Sequence, residues 1–375
     1  MQNSEKENNI KKVLVFGITD KKGGVESVIM NYYRNIDRDK IQFDFLCNTE
    51  IVAYEDEINS LGGKIYRISA RKNGLMQYKK DMKKFFKEHA KEYSSIWVNI
   101  SSLANIDYLK YAKKYGISKR IIHSHNSQNM DSFLRGLLHK WNKLFIKYYA
   151  TDFWSCSKEA STWFYSKKII ESDKYKLINN AIDIEKFRFN EETRERIRKE
   201  LNIPMESLVI GNVGRFHFQK NHPFIINVFN EISKKDENAR LILVGIGEDE
   251  EKIKEMVAEL KLKDKVLFLG QVNNVNEIMQ AMDVLLFPSK FEGLSVTLVE
   301  AQASGIPIVC SKNCSSDSKM SDNFYQLSLE ESYDNWADFI LKVDKENKNN
   351  ENIELLRKKG FDIKNEAKKL QKILV

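Results

Sequence analysis

Cysteine is scarce in this chain: Cys47, Cys156, Cys310 and Cys314 are the only four in 375 residues. They lie mostly in apolar segments, and only Cys310-x3-Cys314 is close-spaced, with no second pair or histidine cluster to complete a zinc site. A disulfide framework is therefore excluded as the organising device, and a reduced, cytoplasmic setting is expected. Long hydrophobic runs are missing too. The start, MQNSEKENNIKK, is polar, and the apolar run after it, Val13 to Ile18, is too short for a signal-peptide core or a membrane span, so export by that route is not expected. Low-complexity tracts and short-period repeats are absent as well.

What remains is a globular composition, 42% hydrophobic and 30% charged, in a chain long enough that two domains are the default. The formal charge of +8 suits nucleic acid, anionic lipid or phosphate ligands and decides among none of them. Nucleic acid is disfavoured, because the basic residues follow helix faces without a recognisable reading module.

Compact β-rich runs alternate with amphipathic helical stretches. The first series of strands is Val13 to Ile18, Ile41 to Cys47, Lys64 to Ile68, Ile96 to Ile100, Arg120 to Ser124, Asp152 to Cys156 and Tyr175 to Ile178. A helix over Val25 to Ile36 fits between the first two. Asn180 to Glu206 breaks the rhythm with a highly charged helix, Glu191 to Leu201, before Pro204, and reads as the crossing between domains. The second series is Leu208 to Val213, Arg240 to Val244, Val266 to Leu269, Val284 to Phe287, Ile306 to Cys310 and Phe324 to Leu327. Such alternation predicts an α/β protein with two doubly wound parallel sheets, whose ligands sit at the carboxyl ends of the strands in a cleft. The expected domains are 1–190, 191–350 and a C-terminal helix within 351–375.

The stretch Asp283 to Val309, DVLLFPSKFEGLSVTLVEAQASGIPIV, carries the strongest chemical signal. A buried strand ends at Pro288, a loop follows, and Leu294 to Ala303 has helical spacing with Leu294, Leu298 and Ala301 on one side. Ser304-Gly305 ends that helix. Gly293 lets a ligand approach the backbone, and free N–H groups at the helix entrance favour an anion. Glu292 and Glu300 would repel a phosphate, so they suit hydrogen bonds from neutral hydroxyls. A ligand with both phosphate and many hydroxyls suits the pair.

Glu292-x7-Glu300 within FEGLSVTLVEAQASGIPIV resembles the signature of glycosyltransferase family 4. The resemblance implies the GT-B arrangement, two facing Rossmann-like domains with an interdomain cleft, with Glu292 meeting the donor sugar and Glu300 the nucleotide ribose. Gly293, Leu294 and Ser295 fall in the donor loop. Gly214-Arg215 and Lys220-Asn221, directly after a strand, are similar to the family's diphosphate clamp: Arg215 offers a planar fork and Lys220 a point charge. Gln271-Val272 falls where the family holds the base through backbone contacts. Val244-Gly245-Ile246-Gly247-Glu248 lacks a third glycine and is followed by acids, so it is assigned to a turn and helix start.

In the first domain, Gly23-Gly24 precedes a helix where the family's loop lies against diphosphate and acceptor, with Gly24 on the donor side, Gly23 on the acceptor side, and Lys21-Lys22 adding positive charge. His123-Ser124-His125-Asn126 ends a strand. The family places one histidine there against the donor sugar, and by register His125 is the first candidate and His123 the second. His123, Asn126 and Asp183 are the acceptor-side candidates. Asp183 lies in Asn180-Ala181-Ile182-Asp183, which resembles an Asn-Gly-Val-Asp stretch, with Ala181 where a positive φ would be costly.

The resemblance implies transfer from a nucleotide-diphosphate sugar, UDP-linked in expectation, to a glycan or lipid-linked hydroxyl in surface polysaccharide assembly, with retention by front-face attack, since no nucleophile and acid pair suited to double displacement is evident. No cofactor and no obligatory metal are expected: Asp37-Arg38-Asp39 reads as a solvated turn. Tyr78 to Lys91 and Arg135 to Tyr149 are basic, aromatic helices that either contact an anionic membrane weakly, at the inner face of the cell membrane, or are ordinary outer helices. A sugar-nucleotide epimerase and a catalytically silent partner subunit are the other functional readings.

Overall fold

The computed structural model describes residues 10–126, 132–345 and 351–374. The polar start through residue 9 and part of the lysine- and asparagine-rich stretch, 346–350, lie outside them. The chain divides into two compact units, Met1–Ala181 with Asp362–Val375, and Ile182–Phe361.

The first unit is built on a parallel seven-stranded sheet in the order β3-β2-β1-β4-β5-β6-β7. Its strands are β1 (Lys11–Phe16), β2 (Ile41–Cys47), β3 (Ile65–Arg67), β4 (Ser95–Ile100), β5 (Lys119–Ser124), β6 (Asp152–Ser155) and β7 (Tyr175–Leu177). Consecutive residues such as Val13, Leu14 and Val15 are all fully buried, as expected of a parallel sheet covered on both faces. The helix Gly24–Asn35 follows β1, and the last helix, Ile363–Leu374, packs against it within this unit, burying Ala367, Leu370 and Leu374. Gln371 Oε1 accepts the Asp37 N–H at 3.0 Å beside that contact.

The second unit holds a parallel six-stranded sheet in the order β10-β9-β8-β11-β12-β13. Its strands are β8 (Val209–Val213), β9 (Arg240–Val244), β10 (Val266–Gly270), β11 (Val284–Phe287), β12 (Ile308–Ser311) and β13 (Phe324–Leu327). The predicted class, two Rossmann-like domains on parallel sheets, is the architecture observed. Strand β12 starts at Ile308 rather than Ile306, because Pro307 has no N–H for the ladder and only its carbonyl pairs, accepting from Leu285 N at 2.9 Å.

The unit boundaries fall at Ala181 and Phe361 rather than at 190 and 350. Burial explains the shift: Ile182, Ile184 and Phe187, together with Ile353, Leu356 and Phe361, all belong to the second unit's core. Ile182 N–H also donates to Phe361 O at 3.0 Å, joining the two ends of that unit. The charged helix Glu191–Glu200, read as a crossing, is instead anchored in the second unit. Arg198, fully buried, and Arg194 both hold Asp283, at 2.7 and 2.6 Å, and Asp283 in turn accepts from Val209 N at the start of β8.

Candidate active site

In each sheet the strand order reverses once, between β1 and β4 in the first unit and between β8 and β11 in the second. At such a switch point the connections leave in opposite directions and the strand ends open into a ligand crevice. Gly23 and Gly24 follow β1, Arg215 and Lys220 follow β8, and Glu292 follows β11, while His125 follows β5, next to β4, and Gln271 follows β10.

In the second unit, the loop after β8 folds onto the loop after β11. Lys220 Nζ lies 2.6 Å from Glu292 Oε2, each side chain only 15% exposed, and the ammonium sits 4.4 Å from the Phe287 ring centroid. Gln219 reinforces the pair by donating to Glu292 Oε2 at 3.3 Å and to Phe291 O at 3.1 Å. Asn221 adopts a left-handed backbone, φ 59°, and its amide donates to Pro288 O at 3.2 Å, which turns the chain into the helix His222–Lys235. Gly214, with the Lys220 aliphatic stem 3.3 Å from where its Cβ would be, leaves room for that fold.

Glu292 lies four residues before the helix, whose expected start is Leu294. The helix starts later, at Val296 with Ser295 as its N-cap, while Glu292 is pinned from the side: its N–H donates to Asn313 O at 3.2 Å and its carbonyl accepts from Ser315 N at 3.0 Å. Gly293 follows, its carbonyl accepting from Ser318 Oγ at 3.3 Å, and Leu294 is buried in the core. Gly305, φ +69°, closes the far end of the helix as expected. Glu300 lies within the helix. Burial raises its carboxyl to about 7, and nearby Lys186 pulls in the opposite direction.

Arg215 is found 2.8 Å from Glu248, both side chains half exposed, and His217 lies 3.6 Å from the same carboxylate. An ion pair this exposed contributes at most about 1 kcal/mol, so Glu248 holds the guanidinium only weakly. The glycines before Glu248 have a packing role: a Cβ at Gly245 would meet Gly214 O at 2.1 Å and one at Gly247 would meet Phe216 O at 2.2 Å. The Gly-x-Gly is what lets the β9 loop close against the Arg215 loop. Gln271, exposed, and Val272, packed on the core, follow β10.

In the first unit, the ring of His125 lies 4.1 Å from that of His123 at the end of β5. His123 is fully buried, with Nδ1 accepting from Trp97 Nε1 at 3.3 Å, whereas His125 is only partly buried and the better placed of the two for a ligand. Burial drives the His125 imidazole down to about 3 and that of His123 well below its usual value, so both rings are neutral at physiological pH. Asn99 in β4 donates its amide to Phe16 O at 3.3 Å, which turns Oδ1 towards His125 Nε2 at 2.9 Å. His125 then carries its proton on Nε2 and presents Nδ1 as an acceptor. Gly17, φ +139°, makes this packing possible, since a Cβ there would lie 2.7 Å from Asn99 Cβ.

Gly23 caps the helix Gly24–Asn35, and a Cβ on Gly24 would meet nothing within 4 Å, so packing in this unit does not demand glycine there. Asn126 is partly buried beside His125. Ala181 is buried and is not among the positive-φ residues, its carbonyl accepting from Asn31 at 3.1 Å. Asp183 belongs to the second unit, at the cap of the short helix Ile184–Phe187. Asp37 of Asp-Arg-Asp pairs with Lys40 at 2.8 Å in a turn. Sequence reasoning missed Gln219, Glu248 and Asn99 as partners of site residues. Only Glu248 had a signal, as the first of the run of acids directly after a glycine turn.

With this geometry, comparison with known proteins is informative. The profile of the family described as "Glycosyl transferases group 1" matches residues 193–362. The putative glycosyltransferase EpsF of Bacillus subtilis (strain 168) is 31% identical over 328 residues, 86% of this chain and 85% of EpsF. The chain belongs to the group 1 glycosyltransferases. The UDP-Gal:alpha-D-GlcNAc-diphosphoundecaprenol alpha-1,3-galactosyltransferase of Escherichia coli is 28% identical over 178 residues, 47% of this chain and 46% of that one. Among solved structures, Anabaena HepE in complex with UDP and glucose has the same fold, with TM-score 0.79 at 17% identity over 97% of this chain and 99% of HepE.

Proposed function

We propose that this glycosyltransferase is a retaining enzyme of family 4 that moves a hexosyl or N-acetylhexosaminyl group from a UDP-linked donor to a hydroxyl of a glycan or lipid-linked acceptor in surface polysaccharide assembly. The observation that carries the reading is the Lys220–Glu292 pair at the switch point of the second sheet. It sets a cation for phosphate and an anion for hydroxyls on adjacent loops. The names of the E. coli relative, with its UDP-galactose donor and diphosphoundecaprenol acceptor, and of HepE with UDP and glucose support the choice of donor and acceptor class.

In the reaction, the acceptor oxygen attacks the anomeric carbon, the bond from that carbon to the diphosphate oxygen breaks, and the acceptor's proton passes to the leaving diphosphate. Lys220 and Arg215 meet the charge that grows on this leaving group, so no divalent metal is obligatory. Glu292 holds sugar hydroxyls, Glu300 the ribose, and the backbone near Gln271 and Val272 the base. His125, neutral, offers Nδ1 to a hydroxyl without adding charge. The test is a thermal-shift screen of nucleotide sugars, followed by incubation of the stabilising donor with a lipid-diphosphate-linked sugar in the presence of a chelator. A transferred sugar with the donor's anomeric configuration is expected. Inversion, activity restored only by manganese, or sugar isomerisation without an acceptor would each contradict the proposal.

A further inference from the structure

The two basic, aromatic helices of the first unit are built in opposite senses. In Leu75–His89 the aromatic residues face inward, with Tyr78, Phe85 and Phe86 buried together with Met82. It is an ordinary outer helix with lysines on its wet side, and its expected membrane face is not formed. The helix Phe133–Tyr149 inverts that pattern. Its fully buried positions are Gly136, His139 and Ile146, and its polar residues turn inward: His139 Nδ1 accepts from Leu103 N at 3.0 Å, and Asn142 donates to Leu103 O at 2.7 Å.

The apolar residues of that helix point to solvent instead. Phe133 is 78% exposed, Trp141 62% and Leu144 65%, with Leu134 and Tyr148 also exposed, a contiguous apolar face of a kind that soluble monomers avoid. Basic groups accompany it. The helix FLRGLLHKWNKLFIKYY contains Arg135, Lys140, Lys143 and Lys147 and no acid; Lys143 turns inward, donating to Thr162 O at 2.6 Å and Trp163 O at 2.9 Å, while Lys140 and Lys147 are exposed. Lys110 and Lys113, from the neighbouring Asp107–Lys114 helix, each lie 5.6 Å from the Tyr149 ring.

We propose that the outward face of the Phe133–Tyr149 helix docks on an anionic lipid bilayer, its aromatic and leucine side chains entering the headgroup boundary and the exposed Lys140 and Lys147 meeting lipid phosphates. Charge selects this occupant. A second copy of the chain would bring one acid-free basic helix against another, whereas an anionic headgroup layer offers both the counter-charge and an apolar interior. The inference does not depend on which sugar is transferred.

The full chain is sedimented with phosphatidylcholine vesicles, with and without phosphatidylglycerol, at low ionic strength. Wild type is expected to partition onto the anionic vesicles at least about tenfold more strongly than onto the neutral ones, with binding falling as salt rises. Trp141→Ser combined with Leu144→Ser, at exposed positions, is expected to reduce partitioning about tenfold or more while leaving the melting temperature unchanged. Lys140→Glu with Lys147→Glu acts in the same direction. Lys80→Glu with Lys84→Glu, the same charge change on the other basic helix, is expected to cost much less. Equal losses from the two lysine pairs would reduce the effect to net charge and overturn the proposal, as would failure of the wild type to bind. Lipid-free self-association abolished by Trp141→Ser with Leu144→Ser would show that a second copy covers the face instead.

Discussion

The two sheets present opposite chemistry at equivalent places. Beyond β8 and β11 the second unit carries charge, with Lys220 against Glu292 and Arg215 against Glu248. Beside β1 and β4 the first unit carries two neutral imidazoles and an amide, His123, His125 and Asn99. One fold repeated in a chain thus carries charged groups at one switch point and neutral polar groups at the other, a division of polarity between the units. Ions suit a leaving diphosphate, while neutral acceptors and donors suit hydroxyls that stay neutral throughout the reaction.

The largest effect expected from that division is at Lys220. Lys220→Ala should lower kcat/KM by roughly 10^2–10^3, the usual result of removing a charge-stabilising donor, and steady-state kinetics check it. A loss smaller than about tenfold would break the comparison, because the charged side would then not be meeting the leaving group. Glu300→Gln is next, weakening nucleotide binding at pH 8, where the carboxylate has formed, by about tenfold to a hundredfold through the lost charged acceptor.

The same substitution should act on stability with the opposite sign. The Glu300 carboxyl, ordinarily near 4.5, is raised to about 7. The folded state therefore keeps its proton below about 7, and stability is lost as pH rises from 4.5 through 7 and a buried carboxylate must form. Glutamine has no proton to lose. The variant should match wild type at pH 5 and melt a few degrees higher at pH 8, as a calorimetric scan at both pH values would show.

The first unit should respond less. His125→Ala and Asn99→Ala should each lower kcat/KM by about tenfold or less, as expected for a neutral hydrogen bond. Because burial takes His125 down to about 3, it should add no step to the pH profile between 5 and 8. An imidazole step in that window, absent from His125→Ala, would show a charged ring and erase the contrast between the units. The smallest effect is at the exposed Arg215–Glu248 pair: Glu248→Gln should tighten nucleotide binding by about fivefold or less, by freeing the guanidinium.

Much of this was legible in the sequence because strand and helix periods are local. The thirteen strands among the described residues lie where apolar runs placed them, and Lys220 and Glu292, which the resemblance to family 4 assigned to one ligand, lie 2.6 Å apart. What escaped depends on contacts distant in sequence. The domain boundary moved to Ala181 because Ile182, Ile184 and Phe187 pack in a core made largely of residues far along the chain. Arg215 found Glu248 across two loops that only the glycines at 245 and 247 allow to meet. The helices Leu75–His89 and Phe133–Tyr149 read alike, since composition does not say which side of a helix faces a sheet.

The central claim is that the second unit receives a nucleotide-diphosphate sugar through Lys220 and Glu300. Calorimetric titration of UDP-sugars at pH 8 into wild type, Lys220→Ala and Glu300→Gln tests it most directly. The account predicts one UDP-sugar that binds wild type and is at least about tenfold weaker on each variant while both remain folded. Equal affinity for all three proteins would contradict it.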